Sequence, residues 1–157
     1  MKWIWDASEF LRKIRTQLRF GERSRAPLRL LRLELRDDMA ECEWLARAND
    51  PWDVDLPPAV QEENELFQAL RDALTVREFL FASLPEIRCA MFKVYRQVVQ
   101  KSPELIITGT VSREDEPPPR IASLVMQAKL CGLRFNLSDG AFEVLSTEAS
   151  ELQFIHL

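Results

Sequence analysis

The most constraining feature of this chain is a pair of strand-like segments that match each other residue by residue. Residues 28–36 and 39–46 flank the two-residue sequence Asp37-Asp38, which predicts an antiparallel β-hairpin. A two-residue turn aligns the apolar positions as Leu35 with Ala40, Leu33 with Cys42 and Leu31 with Trp44. The opposite face then carries the pairs Arg36–Met39, Glu34–Glu41 and Arg32–Glu43. A shift by one residue destroys this match, so the pattern predicts a single register.

Two further hairpins follow from similar patterns. Residues 87–99 and 105–111 are joined by residues 100–103, and residues 133–137 and 142–145 are joined around Asp139-Gly140, a strong hairpin signal. In the last hairpin the register aligns Leu137 with Phe142 and Phe135 with Val144.

The first strand of the middle hairpin is apolar on both of its faces. One face carries Ala90, Phe92, Val94 and Val98, and the other carries Ile87, Cys89, Met91 and Tyr95. This pattern is typical of a strand that is covered on two sides. The predicted helices cover one side, and a second copy of the chain is a simple candidate for the other.

Three amphipathic segments predict helices. Residues 3–19 repeat apolar side chains at helical spacing and end before Gly21. The second helix has Asp55 as its N-cap and Pro57 or Pro58 in its first turn, and it runs to about Leu84. The third helix spans residues 121–131 and ends at Gly132.

The element order is helix, hairpin, helix, hairpin, helix, hairpin. It predicts one α+β domain over residues 1–157, with an antiparallel sheet of about six strands from three hairpins and three helices mainly on one face. We expect the tail, residues 151–157, to form a short edge strand or a docked turn.

Charge is unevenly distributed along the chain. Residues 1–36 carry ten Lys or Arg and four Asp or Glu, a net charge of +6, and the remainder carries a net charge of −10. Residues 1–20 therefore read as a basic amphipathic helix, which suits a protein partner, an anionic membrane surface or the acidic body of its own domain. The candidate contact residues are Trp3, Trp5, Arg12, Lys13, Arg15 and Arg19. Nucleic acid is not the expected partner, because the acidic remainder repels a polyanion and no reading motif occurs.

The sequence offers little for catalysis. Its single histidine, His156, lies next to the C-terminus, a poor place to hold an imidazole still. The four glycines are too far apart for a phosphate-binding loop. Cys42, Cys89 and Cys131 form no C-x-x-C pair, so neither a disulfide framework nor a zinc site is predicted. We therefore expect no cofactor and no metal, and a reducing, cytoplasmic setting with membrane association as an alternative.

Three local features remain as candidates for function. Asp50, Asp53 and Asp55 share one loop, but without the glycine and distal glutamate of a calcium loop we interpret them as turn and cap residues, with Trp52 anchoring the loop on the core. We interpret the proline-rich residues 117–120 as a spacer rather than a polyproline ligand. Arg77 interrupts the apolar stripe of the second helix. Its guanidinium must pair with an acidic side chain, extend into solvent, or bind a ligand anion in a pocket.

These observations predict a non-catalytic interaction module that acts by self-association, as a homodimer, or through a protein partner. The predicted contact surfaces are the N-terminal helix and the second face of the central hairpin. Two alternatives remain open. One is peripheral binding to a membrane surface through the basic N-terminal helix. The other is a hydrolase that uses a carboxylate pair not identified in the sequence.

Overall fold

A computed structural model of the chain describes residues 2–18, 21, 23–24, 26–48, 50, 52, 55–116, 120 and 123–145, with the side chains of residues 2–5 excepted. The helices in this part of the chain are α1 (Lys2–Gln17), α2 (Pro58–Ser83) and α3 (Leu124–Leu130). The strands are β1 (Arg29–Arg36), β2 (Met39–Leu45), β3 (Cys89–Arg96), β4 (Glu104–Ser112), β5 (Leu133–Arg134), β6 (Leu137–Ser138) and β7 (Ala141–Phe142). The predicted tail element, residues 151–157, and His156 lie outside the described residues.

The first hairpin has the predicted register over most of its length. Arg36 lies opposite Met39, and the pairs continue as predicted to Arg32 and Glu43. The expected pair of Leu31 and Trp44 is wrong, because Leu30 takes the position opposite Trp44 and Leu31 is an extra residue in β1. This is a β-bulge, and it leaves Leu31 46% exposed.

The main sheet is mixed, with the strand order β1-β2-β3-β4-β5. The mixed α+β class is thus confirmed, but the expected antiparallel sheet of six strands is wrong. Strands within each tight hairpin are antiparallel, whereas β2 and β3 are parallel. The reason is that α2 carries the chain back along the sheet before β3 begins, as a crossover helix does.

The third predicted hairpin divides between two sheets. Leu137 lies opposite Phe142 in the small β6–β7 sheet, as predicted. The expected pair of Phe135 and Val144 is not formed; Phe135 is buried and Val144 is 51% exposed. The difference arises because β5 pairs with β4, where Gly109 lies opposite Leu133. A Cβ added to Gly109 would collide with the carbonyl of Gly132, so this junction needs glycine.

The helix ends follow the sequence with one correction. Pro58 lies in the first turn of α2, and the helix ends before Pro85 as predicted. Asp55 is not the N-cap; Pro57 holds that position, without a side-chain hydrogen bond. Helix α3 is shorter than predicted and begins after Ser123, whose hydroxyl accepts a hydrogen bond from the Met126 amide.

The two faces of the sheet differ sharply. The inner face, which faces the described helices, carries fully buried side chains: Ala40, Cys42, Trp44, Ala90, Phe92, Val94 and Ile107. Helix α1 packs against this core through Phe10, Ile14 and Leu18, so the described part of its apolar stripe is used within the domain. No described helix is long and apolar enough to span a membrane.

The outer face is the opposite side of the same strands. The strand register places these residues on it: Arg32, Glu34, Glu41, Glu43, Met91, Lys93, Tyr95, Thr108 and Thr110. Each of them is half-buried or exposed. The second face of β3 was expected to be apolar and covered. Instead, Lys93 interrupts it and the glutamates of β2 flank it.

Candidate functional site

A cluster of charged side chains occupies the β1–β2 half of the outer face, with Arg32 at its centre. Its guanidinium is hydrogen-bonded to Glu34 and to Glu43 (3.1 Å), and its Nη2 lies 3.2 Å from a carboxylate oxygen of Glu41. The hydrogen bond from Arg32 lowers the pKa of the Glu34 carboxyl. The hydroxyl of Tyr95 donates to Glu43 at 3.1 Å, which ties β3 to the same cluster. The outer face is thus an ordered, charged surface.

The predicted contact residues of the N-terminal helix are only partly described. The guanidinium of Arg12 donates to Glu9 on its own helix at 3.0 Å, Lys13 is half-buried and Arg15 is exposed. Arg19 and the side chains of Trp3 and Trp5 lie outside the described part of the chain. The described portion therefore offers a mixed rather than a purely basic surface.

Arg77 lies in the interior, 5% exposed, on the side of α2 that faces the end of β4. Its Nη2 donates to the carbonyl of Ser112 at 2.7 Å, and its guanidinium lies 5.1 Å from the ring centre of Phe81. Within the described residues, main-chain carbonyls rather than an acidic side chain therefore accept from this buried cation.

Arg113 is a second such residue, which the sequence analysis did not single out. It donates to the carbonyls of Phe81, Leu84 and Ile87 at 2.8–3.0 Å. These contacts satisfy acceptors at and beyond the C-terminal end of α2 and place a cation at the negative end of the helix dipole. Arg77 and Arg113 together connect the C-terminal end of α2 to the end of β4. Both guanidinium groups also lie near the ring of Phe81.

A buried ion pair joins the end of β2 to the middle of α2. Arg47 Nε donates to Asp72 at 2.8 Å, and the two side chains are 0% and 2% exposed. Gln68 donates to the other oxygen of Asp72 and accepts from the Arg23 amide at 2.6 Å. This network was not predicted from the sequence, although Gln68 and Asp72 interrupt the apolar surface of α2 just as Arg77 does.

Two carboxylates on different elements also flank Arg96. Its Nη2 lies 3.0 Å from Glu104, and its Nη1 lies 3.8 Å from Glu65. Burial raises the pKa of the Glu65 carboxyl despite the positive charge of Arg96. Arg96 lies between the two acids, so the three side chains connect α2, β3 and β4.

The aspartate loop lies only partly within the described residues, and the three cysteines are free thiols. Asp53 lies outside the described residues, and Trp52 is 61% exposed instead of anchoring the loop on the core. Burial raises the pKa of the Cys42 and Cys131 thiols, while Cys89 is half-exposed on the outer face. Among the described residues, no group of three or more acidic, cysteine or histidine side chains could hold a metal ion.

Comparison of the chain with protein-family models, with curated proteins and with solved structures gives no match. The molecule is therefore defined by its architecture: a mixed α+β domain with one face of its sheet packed by helices and the other carrying a charged cluster.

Proposed function

We propose that this chain is a non-catalytic self-association module that binds a second copy of itself through the open side of its sheet. By the open side we mean the outer face and the edge of β1 that pairs with no strand in the described part of the chain. The observation that carries the proposal is the contrast between the two faces: the described helices pack on the inner face, and a row of partly exposed side chains, ordered by ion pairs, covers the other.

The composition of the outer face supports a protein contact. Met91 and Tyr95 provide half-buried apolar and aromatic surface at the centre of the sheet, and the Arg32 cluster flanks them. Interfaces between proteins combine such a centre with a polar rim, and tyrosine, methionine and arginine are enriched in them. The ion pairs of Arg32 and the hydrogen bond of Tyr95 already order part of this surface, which reduces the conformational entropy lost on association.

The alternatives have weaker support in the described residues. Membrane binding needs an apolar helix face, but Phe10, Ile14 and Leu18 of α1 are buried in the core of the domain. A carboxylate hydrolase needs an acid pair in a cleft, whereas Arg96 lies between Glu65 and Glu104.

Sedimentation velocity over a wide concentration range tests the proposal. We expect a reversible increase in weight-average mass with concentration, and a loss of that increase in the double variant that places a charge at the centre of the outer face and at the edge of β1 (Met91→Glu with Leu31→Glu). Met126→Glu, on the exposed side of α3, is the control and should associate as the wild type does. A chain that remains monomeric at every concentration would contradict the proposed function.

A further inference from the structure

We infer that the second copy pairs along the free edge of β1, antiparallel, in a register centred on Leu33. The inference rests on the proposed self-association and specifies the strand and the register through which it occurs. Strand β1 is the first strand in the sheet order, and its described contacts with other strands are with β2 alone. An unpaired edge of this kind presents a row of backbone donors and acceptors to another strand.

The backbone of β1 defines which residues can pair outward. Arg36 and Met39 flank the two-residue turn, and the pair that closes such a turn exchanges hydrogen bonds. Hydrogen-bonded and non-hydrogen-bonded pairs alternate along an antiparallel ladder. Leu33 and Leu35 therefore direct their N–H and C=O groups away from β2, toward the free edge.

The charges on β1 and the length of the strand together select one register. In a symmetric antiparallel pair centred on Leu33, Arg32 of each copy lies opposite Glu34 of the other. A register centred on Glu34 instead places glutamate opposite glutamate and Arg32 opposite Arg36. Opposite charges at facing positions stabilise a strand pair and like charges destabilise it, so the first of these two registers is favoured. A register centred on Leu35 also places Glu34 opposite Arg36, but it sets Leu33 opposite Asp37 of the turn and pairs only the last three residues of β1. The register centred on Leu33 is therefore the one that matches the charges and also uses most of the strand.

The facing positions also bring the charges close together. In the register centred on Leu33, Arg32 and the Glu34 of the second copy form non-hydrogen-bonded pairs, in which side chains approach most closely. Glu34 is already held beside Arg32 and Arg36 in each chain. Two copies thus join their charge clusters across the new ladder without burying an isolated charge.

The leucines of β1 supply the apolar part of the contact. Leu33 and Leu35 lie on the inner side of the sheet but are only half-buried, unlike the fully buried Cys42 and Ala40 opposite them. Leu31, at the bulge, is 46% exposed. A further strand at this edge would cover Leu33 and Leu35. The bulge confines regular pairing to the turn end of β1, so the contact is short and the dimer is a weak, reversible one.

A pair of charge reversals tests the register. Arg32→Glu gives a chain with glutamate at both positions 32 and 34, and Glu34→Arg gives a chain with arginine at both. We expect each variant to lose self-association in sedimentation velocity, because like charges face each other. An equimolar mixture of the two should form a heterodimer, because every facing pair is then arginine with glutamate. Circular dichroism melting of each variant confirms that it is folded, and Glu78→Arg, exposed on α2, is the charge-matched control.

The outcomes separate this inference from the proposed function. If the wild type associates but both reversed chains still associate alone, the β1 pairing is wrong and the function stands. If Met91→Glu alone abolishes association, the contact lies on the outer face instead. If the reversed chains and their mixture all remain monomeric while folded, the register centred on Leu33 is wrong. A wild type that never associates overturns both proposals.

Discussion

The inner and outer sides of the sheet use the same kinds of residue in opposite ways. On the inner side, aromatic rings pack edge to face, and the ring centres of Trp44 and Phe92 lie 5.1 Å apart. The charged residues Arg47 and Asp72 form a buried ion pair there. On the outer side, apolar side chains are half-exposed and arginine is shared among several glutamates. The same kind of contact is therefore expected to stabilise the fold more on the inner side than on the outer side. Burial removes the solvent that weakens electrostatic contacts, and it also removes apolar surface from water.

The largest difference is expected between adjacent residues of β3. Phe92→Ala removes a fully buried ring from the inner face and should lower the free energy of unfolding by about 3–5 kcal/mol. Met91→Ala, the matched change on the outer face, should cost about 1 kcal/mol, because that side chain is only partly buried. Urea denaturation of both variants provides the measurement. Equal losses would mean that the outer face is as well covered as the inner one.

The buried ion pair should be the most sensitive polar contact. Asp72→Ala leaves Arg47 as an uncompensated charge with 0% exposure, and we expect a loss of about 3 kcal/mol. Glu78→Ala, an exposed acid on the same helix, should leave the urea midpoint nearly unchanged. Replacing both partners, Arg47→Met with Asp72→Leu, should recover much of the loss, because no buried charge remains. A double variant no more stable than Asp72→Ala would show that Arg47 is needed for another contact.

The sequence predicts the local pairing of this molecule much better than its long-range contacts. The register from Arg32 to Arg36 follows from strict alternation. The bulge does not, because Leu30, Leu31 and Leu33 are the same residue type and either of the first two can face Trp44. The parallel pairing of β2 with β3 depends on the path of α2, which periodicity does not encode. Arg77 is visible because it interrupts an apolar stripe, whereas its carbonyl acceptors on Ser112 and Arg113 are not.

A smaller effect, with a definite pH dependence, is expected at Glu65. Burial raises the pKa of this carboxyl above its usual 4.5 in the folded protein, so its contribution favours folding when protonated and is lost as pH rises through the raised value. Glu65→Gln should therefore raise the thermal midpoint at neutral pH and lose this advantage below about pH 4, where the acid is protonated in both states. Glu63→Gln, at an exposed position two residues away in sequence, is the control. A variant less stable than the wild type at neutral pH would show that the attraction to Arg96 outweighs burial.

The smallest effect on stability is expected from the outer charge cluster. Arg32→Ala removes contacts to Glu34, Glu41 and Glu43, yet half of this side chain is exposed, and exposed ion pairs contribute little because water and salt screen them. We expect the thermal midpoint of the dilute, monomeric protein to shift only slightly, and the shift to shrink as salt is added. A large decrease in the thermal midpoint at high salt would mean that the contacts of Arg32 are shielded from solvent, as those of the buried Arg47 are. With the fold nearly unaffected, the same substitution should still weaken self-association. Arg32 would then act mainly between molecules, whereas Arg47 acts within one.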